Sequence, residues 1–289
     1  MSEPAIRELR NAPSMLPMFA KALMRVTVKP GKNPALPAIG ARLSDIMLDA
    51  KHLAAYRKVC GFSSNGSLPI TYPHMHAHPL FMSLLLDSSF PFPAIGLVHV
   101  GNRITQYRPI QEREQLDVEC RFGALEKKDA GFEFSILTSV STGGEQVWES
   151  ESTMLYRTGG SGKKKDAPKK IEPATDVVEW SVPDNIGRKY GAVSGDRNPI
   201  HLYPLTAKLL GFKRQIAHGM WSKARCLAEL ETQLPKGPFS VDVQFKLPMF
   251  IPAKVKFEQK PVINGIDFRL LGKDGIKPHL HGQIREIED

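Results

Sequence analysis

Apolar and polar positions alternate in short runs near the end of the chain. The runs cover residues 241–245, 253–259, 266–271 and 278–286, and the later ones are separated by Asn264-Gly265 and Asp274-Gly275. Alternation with a period of two is typical of half-buried strands. Asn-Gly and Asp-Gly pairs favour tight hairpin turns. The pattern therefore predicts an antiparallel meander.

A helical pattern precedes the meander. Apolar residues recur there every three or four positions, at Met220, Trp221, Ala224, Leu227, Ala228 and Leu230. This spacing predicts a helix from about Met220 to Gln233. One long helix followed by a meander indicates an α+β unit in which the sheet wraps around the helix.

The same order of patterns occurs twice. Tyr-x-x-Val-x-Gly begins at Tyr56 and again at Tyr190. Further matches pair Ala77-His78 with Ala217-His218, Val98-His99-Val100 with Val241-Asp242-Val243, and Gly131-Phe132-Glu133-Phe134 with Gly265-Ile266-Asp267-Phe268. Matches in one order indicate a duplicated unit. Gly143-Gly144 predicts the turn between two strands of the first copy, at 136–141 and 145–156.

The repeat predicts two domains joined by a linker. We place the N-terminal domain at residues 1–157, the linker at 158–172 and the C-terminal domain at 173–289. The linker is rich in glycine and lysine, a flexible and solvated composition. Its glycines do not fit a phosphate-binding loop, because the GxxxxGK[ST] spacing is absent.

Composition narrows the class of protein. The 289 residues are 42% hydrophobic and 24% charged, which excludes disordered, collagenous and coiled-coil proteins. The net charge of +9 points to an anionic partner, which could be nucleic acid, an acidic membrane surface or a phosphorylated small molecule. Residues 161–170 contain five lysines and one aspartate, so nearly half of the excess lies in the linker. Since no nucleic-acid motif is present, we do not expect nucleic-acid binding.

The cysteines and hydropathy suggest the compartment. Cys60, Cys120 and Cys226 are far apart and odd in number, which is typical of a reducing compartment and leaves no zinc-ligand pair. Cys226 falls on the predicted helix at a core spacing, which favours a buried structural thiol over a nucleophile. Because no run approaches about 18 apolar residues, we expect no membrane span and a cytoplasmic location.

The segment from Tyr190 to His201 contains the candidate chemistry. Asp196, Asn198 and His201 lie within six residues. Pro199 disfavours a continuous helix, so a tight loop could point these side chains inward. A carboxylate and an imidazole that converge on one water can perform general acid–base catalysis. Alternatively, the same residues form an ordinary turn and a helix cap.

This segment resembles the signature of the MaoC-like (R)-specific enoyl-thioester hydratases, also called hydratase 2. The matching positions are Tyr190, Val193, Ser194, Gly195, Asp196, Asn198, Pro199, Ile200, His201 and Ala207, and Ala217-His218-Gly219-Met220 also matches. The resemblance implies an α+β fold made of tandem hot-dog domains, each an antiparallel sheet wrapped around a long central helix.

The resemblance also implies an activity. Members of this family reversibly add water to a trans-2-enoyl thioester, giving the (3R)-hydroxyacyl thioester of fatty acid metabolism. Asp196 and His201 would activate the water, although the resemblance does not say which is the base. Asn198 would orient the water or the pair formed by Asp196 and His201. Gly219, at the start of the predicted helix, would donate its N–H to the thioester oxygen.

The resemblance suggests further binding residues and partners. Tyr190, Gly195 and His218 would line the substrate site. Lys213 and Arg214 lie near the start of the predicted helix and could contact coenzyme A phosphates, as could the nearby Lys223 and Arg225. Alternatively, these basic residues lie on a solvated face. The substrate would be a thioester of coenzyme A or acyl carrier protein. We expect no cofactor and no metal ion, and either a monomeric pseudo-dimer or a homodimer.

The first copy lacks the implied catalytic groups. Phe62 occupies the position that matches Asp196, and Pro79, which has no N–H, matches Gly219. We therefore expect one active site per chain, in the second copy at its interface with the first. The apolar run from Leu80 to Leu86 could line the acyl chain there, or it could simply be core.

Two other functions compete with this interpretation. The chain could be a non-catalytic hot-dog protein that binds acyl thioesters or a partner, although the intact motif favours an enzyme. His74, His76 and His78 alternate, and on a strand they would present three imidazoles as metal ligands. Neighbouring prolines and the repeat counterpart of His78 argue against that metal site.

Overall fold

The computed structural model describes residues 3–159 and 176–287. The predicted linker lies almost wholly outside these residues. In chain order the elements are β1 Ala5–Leu9, α1 Met15–Met24, β2 Ile39–Ile46, α2 Ala50–Cys60, α3 His74–Leu85, β3 Val98–Gln106, β4 Leu116–Lys128, β5 Gly131–Thr142, β6 Glu145–Arg157, β7 Asp176–Val182, α4 Ile186–Ser194, α5 Pro204–Leu209, α6 Gly219–Glu229, β8 Phe239–Phe245, β9 Ala253–Val262, β10 Gly265–Gly272 and β11 Pro278–Glu286.

The elements form two compact units. Among the described residues, 3–48, 73–104 and 113–159 make up the first unit, and 49–72, 105–112 and 176–287 make up the second. Residues 49–72 therefore come from the first sequence repeat but pack within the second unit. The domain boundaries at 157 and 173 stay a prediction.

The first unit is a sheet with a helix packed on it. Its strand order is β1-β2-β4-β5-β6-β3, and β1 pairs in parallel with β2 while β2, β4, β5 and β6 pair antiparallel. Helix α3 packs on β2 and β4. Gly143 and Gly144, with φ of 57° and 85°, form the predicted turn between β5 and β6. This conformation favours glycine, so the turn prediction is confirmed.

The second unit contains the predicted meander. Its strand order is β8-β11-β10-β9-β7, and every pairing is antiparallel. Asn264 and Gly275, with φ of 55° and 70°, lie in the two predicted hairpin turns. Helix α6 contacts β10, so this unit too combines a helix with an antiparallel sheet. The predicted α+β class is confirmed.

The helix predicted from Met220 to Gln233 is divided in the structure. Helix α6 ends at Glu229, and a short 3-10 turn follows from Glu231 to Gln233. Leu230 between them is fully buried, and its carbonyl accepts a hydrogen bond from Gln233 N at 2.8 Å. A single 3-10 turn preserves the apolar spacing, which explains why periodicity did not reveal the break.

The first repeat differs from the second at its central helix. The repeat predicts a helix start near His78, whereas α3 begins at His74 and contains Pro79 in its interior. On a helix, residues two apart point in nearly opposite directions, so His76 does not share a face with His74 and His78. The strand arrangement considered for a metal site is therefore wrong.

No helix in residues 3–159 or 176–287 has the length and apolar character needed to cross a membrane. Cys60, Cys120 and Cys226 are buried free thiols. Burial raises the pKa of Cys60 and of Cys120 to about 12 and also raises the pKa of Cys226. The predicted burial of Cys226 is confirmed, and its raised pKa disfavours the thiolate that a nucleophile needs.

Candidate active site

Helix α4 leads into the loop that contains Asp196. The helix ends at Ser194, and Gly195 follows in the left-handed conformation with φ of 72°. Short turns then shape the loop: Asp196 N donates to Ser194 Oγ at 3.1 Å, and Asn198 N donates to Asp196 Oδ1 at 3.1 Å. These bonds direct the chain away from the helix and fix one oxygen of the Asp196 carboxylate.

Two glycines let this loop lie directly on α4. A Cβ at Gly187 would lie 1.9 Å from the carbonyl oxygen of His201, and a Cβ at Gly191 would lie 2.8 Å from that of Asp196. Neither contact could be relieved by moving a side chain, because both involve backbone oxygens. Sequence reasoning missed these residues, although both lie within or next to the recognised motif.

His201 is fixed in one orientation. It ends a 3-10 turn that starts at Pro199, and Asn198 caps this turn by accepting from Ile200 N at 3.3 Å. His201 Nδ1 lies 2.8 Å from the carbonyl oxygen of Ile216. Because a carbonyl only accepts, Nδ1 carries the proton and Nε2 is left with the lone pair. Burial lowers the pKa of His201 below 6.5, partly offset by the Asp196 carboxylate.

His218 completes a compact cluster with Asp196 and His201. Its Nε2 lies 3.0 Å from the backbone oxygen of Asp196 and 3.8 Å from Asp196 Oδ2. The His218 ring stacks on the His201 ring, and the centroid of the Tyr190 ring lies 5.0 Å from the centroid of the His218 ring. Both histidines are buried, whereas the Asp196 side chain is 30% exposed. The cluster is therefore open on the side of the carboxylate.

Gly219 is the first residue of α6, as the sequence predicts. The first N–H groups of a helix have no acceptor within it, so this end can stabilise negative charge. A Cβ at Gly219 would lie 3.0–3.2 Å from the ring of Phe245. Glycine therefore keeps the start of α6 close to that ring.

The ligand atoms of the cluster also suit a metal ion. Asp196, His201 and His218 each offer a ligand atom, and these atoms lie within 4.8 Å of one another. A carboxylate with two imidazoles suits zinc and similar divalent ions. The same groups also suit proton transfer. The expectation of no metal stays a prediction.

Proteins with similar sequences show the family of this chain. The family model described as "MaoC like domain" matches residues 165–267. 3-Hydroxyacyl-thioester dehydratase X of Mycobacterium tuberculosis is 34% identical over 261 residues, which cover 89% of this chain and 92% of that protein. The chain belongs to the MaoC-like dehydratase family. The (R)-specific enoyl-CoA hydratase of Aeromonas caviae is 39% identical over 72 residues, covering 24% of this chain and 54% of that protein.

Solved structures of MaoC-like proteins share the fold. The crystal structure of HtdX from Mycobacterium tuberculosis has a TM-score of 0.76 and 32% identity, over 86% of this chain and 100% of that chain. A MaoC-like dehydratase from Phytophthora capsici has a TM-score of 0.70 over 86% and 95% of the two chains, at only 19% identity. The hot-dog fold of this MaoC-like chain is thereby confirmed.

The basic residues predicted to meet substrate lie apart from this cluster. Arg214 donates to the carbonyl oxygens of Pro252 and Phe250, at 3.2 and 3.5 Å. Lys213 lines a separate surface pocket. Lys223 is fully buried and donates to Val241 O at 3.1 Å, so its predicted contact with phosphates is wrong. Arg225 lies over the ring of Trp180, 4.5 Å from its centroid.

The first repeat contains a helix end that matches the end of α4 in the second repeat. Helix α2 ends at Cys60, and Gly61 follows with φ of 89°, just as Gly195 follows α4. The next residue, Phe62, is buried, and its ring stacks on Tyr56. A phenyl ring therefore stands where the second repeat has its carboxylate.

Sequence reasoning also missed a contact between α2 and α4. His52 Nε2 lies 2.7 Å from the carbonyl oxygen of Val193, and its Nδ1 lies 2.8 Å from Tyr72 OH. Val193 is in the last turn of α4, where carbonyls have no partner within the helix. His52 therefore supports the helix end from which the Asp196 loop departs. The two residues are 141 positions apart, so no local pattern could reveal the contact.

Proposed function

We propose that the chain is an (R)-specific enoyl-thioester hydratase, or in reverse a (3R)-hydroxyacyl-thioester dehydratase, of fatty acid metabolism. The observation that carries this proposal is the cluster of Asp196, His201 and His218 next to the N-terminus of α6. The names of its relatives support it, since they include a 3-hydroxyacyl-thioester dehydratase and an (R)-specific enoyl-CoA hydratase.

His201 is the proposed proton carrier. In hydration, its Nε2 takes a proton from water while the water oxygen bonds to C3 of the enoyl thioester. The electron pair of the C2–C3 double bond moves toward C2 and the thioester carbonyl, giving an enolate. The imidazolium then returns the proton to C2 on the same face, which makes the addition syn. Dehydration follows the same steps in reverse.

Asp196 and Gly219 stabilise the charges that develop. The Asp196 carboxylate accepts the second hydrogen of the water and stabilises the His201 imidazolium. The N–H of Gly219, at the start of α6, donates to the enolate oxygen. Asn198 holds the loop, because its side-chain oxygen accepts from Ile200 N and so caps the turn that ends at His201. It therefore helps to orient Asp196 and His201.

The remaining residues shape the site. His218 donates from Nε2 to the backbone oxygen of Asp196 and stacks on His201, so it holds both catalytic residues. Gly195 begins the loop after α4, and the Tyr190 ring packs beside His218. We propose a coenzyme A or acyl-carrier-protein thioester as substrate, no cofactor and a cytoplasmic location. One active site per chain, an acyl-chain wall at residues 80–86 and the monomer or homodimer state stay predictions.

The test is the loss of enoyl-thioester absorbance with crotonyl-CoA and a longer enoyl-CoA, followed by chiral analysis of the product. Asp196→Asn and His201→Ala should each lower kcat by about 10²–10⁴-fold. His281→Asn, on β11, serves as a control and should retain full activity. If the wild type binds enoyl thioesters of both carriers but turns over none, the chain is instead a non-catalytic acyl-thioester-binding protein.

Treatment with a chelator tests the role of a metal. Activity should be unchanged, because the proposed proton transfers use only side chains. Loss of activity that zinc or another divalent ion restores would instead assign the Asp196, His201 and His218 cluster to a metal.

A further inference from the structure

Helix α1 of the first unit is apolar on more than one side. Met18, Phe19 and the buried Ala22 share one side at helical spacing, and the helix packs on α3. Another side exposes Leu23 and Met24, which are 58% and 76% accessible to solvent. A helix that is apolar all round is normally buried. The outer side of α1 therefore suits an apolar environment.

The segment that contains α1 is also strongly basic. Residues 9–44 contain six lysines and arginines and no aspartate or glutamate. Residues 161–170 carry +4 and residues 9–44 carry +6 of the net charge of +9, so the remainder of the chain carries −1. Outside the predicted linker, the positive charge of the protein is therefore concentrated in the segment that contains α1.

Three lysines of this segment are exposed next to the apolar side chains. They are Lys21 on α1 itself, and Lys29 and Lys32 shortly after it. In the part of the chain that the structure describes, none of the three forms an ion pair. Val26, between α1 and Lys29, is 50% exposed. Apolar and cationic side chains thus face solvent together.

We propose that these exposed side chains form a docking surface for an anionic lipid membrane. This α1 surface consists of Leu23, Met24, Val26, Lys21, Lys29 and Lys32. The apolar side chains would enter the boundary between headgroups and acyl chains, while the ammonium groups meet the lipid phosphates. The proposal goes beyond the proposed catalytic activity and does not depend on it.

Contacts within the first unit hold α1 in place. Arg25 follows the helix, and its backbone N–H donates to Ala22 O at 3.2 Å. Its Nη2 donates to Phe90 O at 3.0 Å. Arg25 thus fastens the end of α1 to the rest of the unit, whereas Leu23 and Met24 remain exposed. The α1 surface is therefore built into the fold.

The side chains of the α1 surface favour lipid over a protein partner. Protein interfaces are enriched in aromatic residues and arginine and depleted in lysine. The α1 surface contains no aromatic residue, and its cations are lysines. A lysine can lay its apolar stem along lipid while its ammonium group reaches a phosphate. A second copy of the chain would bring two positive surfaces together, which is unfavourable.

Vesicle co-sedimentation tests the electrostatic part of the proposal. The full chain should bind vesicles of phosphatidylcholine mixed with phosphatidylglycerol more tightly than vesicles of phosphatidylcholine alone, and salt should weaken this binding. Lys21→Gln/Lys29→Gln should lower the partition coefficient roughly 25-fold, because each lysine near an anionic membrane contributes about fivefold. Lys58→Gln/Lys236→Gln, which removes two exposed lysines elsewhere, is the matched control and should bind as the wild type does.

A second pair of variants tests the apolar part. Leu23→Gln/Met24→Gln should lower the partition coefficient about tenfold or more, because these side chains no longer transfer from water to lipid. Glutamine has a helix propensity close to that of leucine and methionine, so α1 should persist. Ile263→Gln/Ile276→Gln is the control, since these isoleucines are 91% and 62% exposed in the second unit.

The outcome is separable from that of the enzyme assay. Without vesicles, all four variants should turn over crotonyl-CoA as the wild type does and unfold at the same temperature. The proposal is overturned if the wild type does not bind anionic vesicles, or if the α1 variants bind them as tightly as their controls do. Binding of polyglutamate in place of vesicles, lost in Lys21→Gln/Lys29→Gln, would instead assign the α1 surface to an acidic protein. Self-association without vesicle binding, lost in Leu23→Gln/Met24→Gln, would assign it to a second copy.

Discussion

The rings of His201 and His218 stack with their centroids 3.7 Å apart and their planes 25° from parallel. Two buried imidazolium ions could not lie at this distance without strong repulsion, so the pair holds at most one positive charge. Since His218 donates from Nε2 to a carbonyl oxygen, its position is fixed by the same loop that carries Asp196. Because burial also lowers the pKa of His201, the stack is consistent with a neutral His201 that gains a proton only during the reaction.

The first prediction concerns pH. Burial lowers the pKa of His201 below 6.5, so the neutral base is already present at pH 7. The value of kcat/KM should be flat near neutrality and fall only below pH 6.5, by about tenfold per pH unit once the residue is protonated. His281→Asn should leave this acid limb in place. An acid limb centred above pH 7 would contradict a neutral His201 as the base.

The lowered pKa of His201 also affects the stability of the protein. A buried histidine with a lowered pKa binds a proton more readily in the unfolded chain than in the folded one. The free energy of unfolding should therefore fall as the pH decreases below 6.5, the ordinary pKa of histidine. Urea denaturation of the wild type and of His201→Gln between pH 5 and pH 8 checks this, because the variant should lose part of the dependence.

The second prediction isolates the N–H of Gly219. His218 has φ of −66° and ψ of 138°, which suits a residue before proline, and proline is tolerated at the first position of a helix. Gly219→Pro should therefore lower kcat by about 10²–10³-fold by removing the donor. Gly219→Ala is the control, because it retains the N–H while adding a Cβ against Phe245. Equal losses in both variants would mean that crowding, not the donor, matters.

The third prediction concerns the close approach between α4 and the catalytic loop. A Cβ at Gly187 would lie 1.9 Å from the carbonyl oxygen of His201. Gly187→Ala should displace the loop, lower kcat and cost about 1–3 kcal/mol of stability through overpacking. Gly237→Ala is the matched control, since a Cβ at that position would meet nothing within 4 Å beyond its chain neighbours. Thermal denaturation and the hydration assay measure both effects, and wild-type activity in Gly187→Ala would refute the close packing.

The fourth prediction uses Lys223, which is fully buried on α6. Burial lowers the pKa of Lys223 well below 10.5. Between this lowered pKa and pH 10.5, the unfolded chain binds a proton that the folded chain does not. The stability of the wild type should therefore rise with pH toward 10.5 relative to Lys223→Met, which retains the volume without the charge. Urea denaturation at pH 7 and pH 9.5 gives the comparison. Lys260→Met, which removes an exposed lysine of β9, is the matched control.

Local patterns predicted the parts of this fold that local chemistry determines. The β9–β10 and β10–β11 turns follow from Asn264-Gly265 and Asp274-Gly275, because few residues tolerate their backbone conformation. The Asp196 loop was found because its residues are contiguous. The burial of Lys223 was not found, since a lysine between apolar helix positions ordinarily reaches solvent.

Other parts depend on packing between distant residues. Gly187 and Gly191 matter only because a loop formed later in the chain lies on α4. The His52 contact with Val193 joins residues of the two sequence repeats. The stacking of His218 on His201 likewise depends on how two segments meet in space. Spacing along the chain contains none of this information.

Contacts of α2 and the residues after it decide how the protein can be divided into fragments that fold. Trp221 Nε1 donates to Val59 O at 3.1 Å, Ser63 N donates to Glu231 Oε2 at 2.8 Å, and His52 meets Val193. A gene fragment that encodes only residues 173–289 would therefore yield an incomplete hot-dog unit with an uncovered indole and an unsupported α4. The smallest fragment to try in a split-protein complementation experiment is that half together with a peptide spanning residues 49–72.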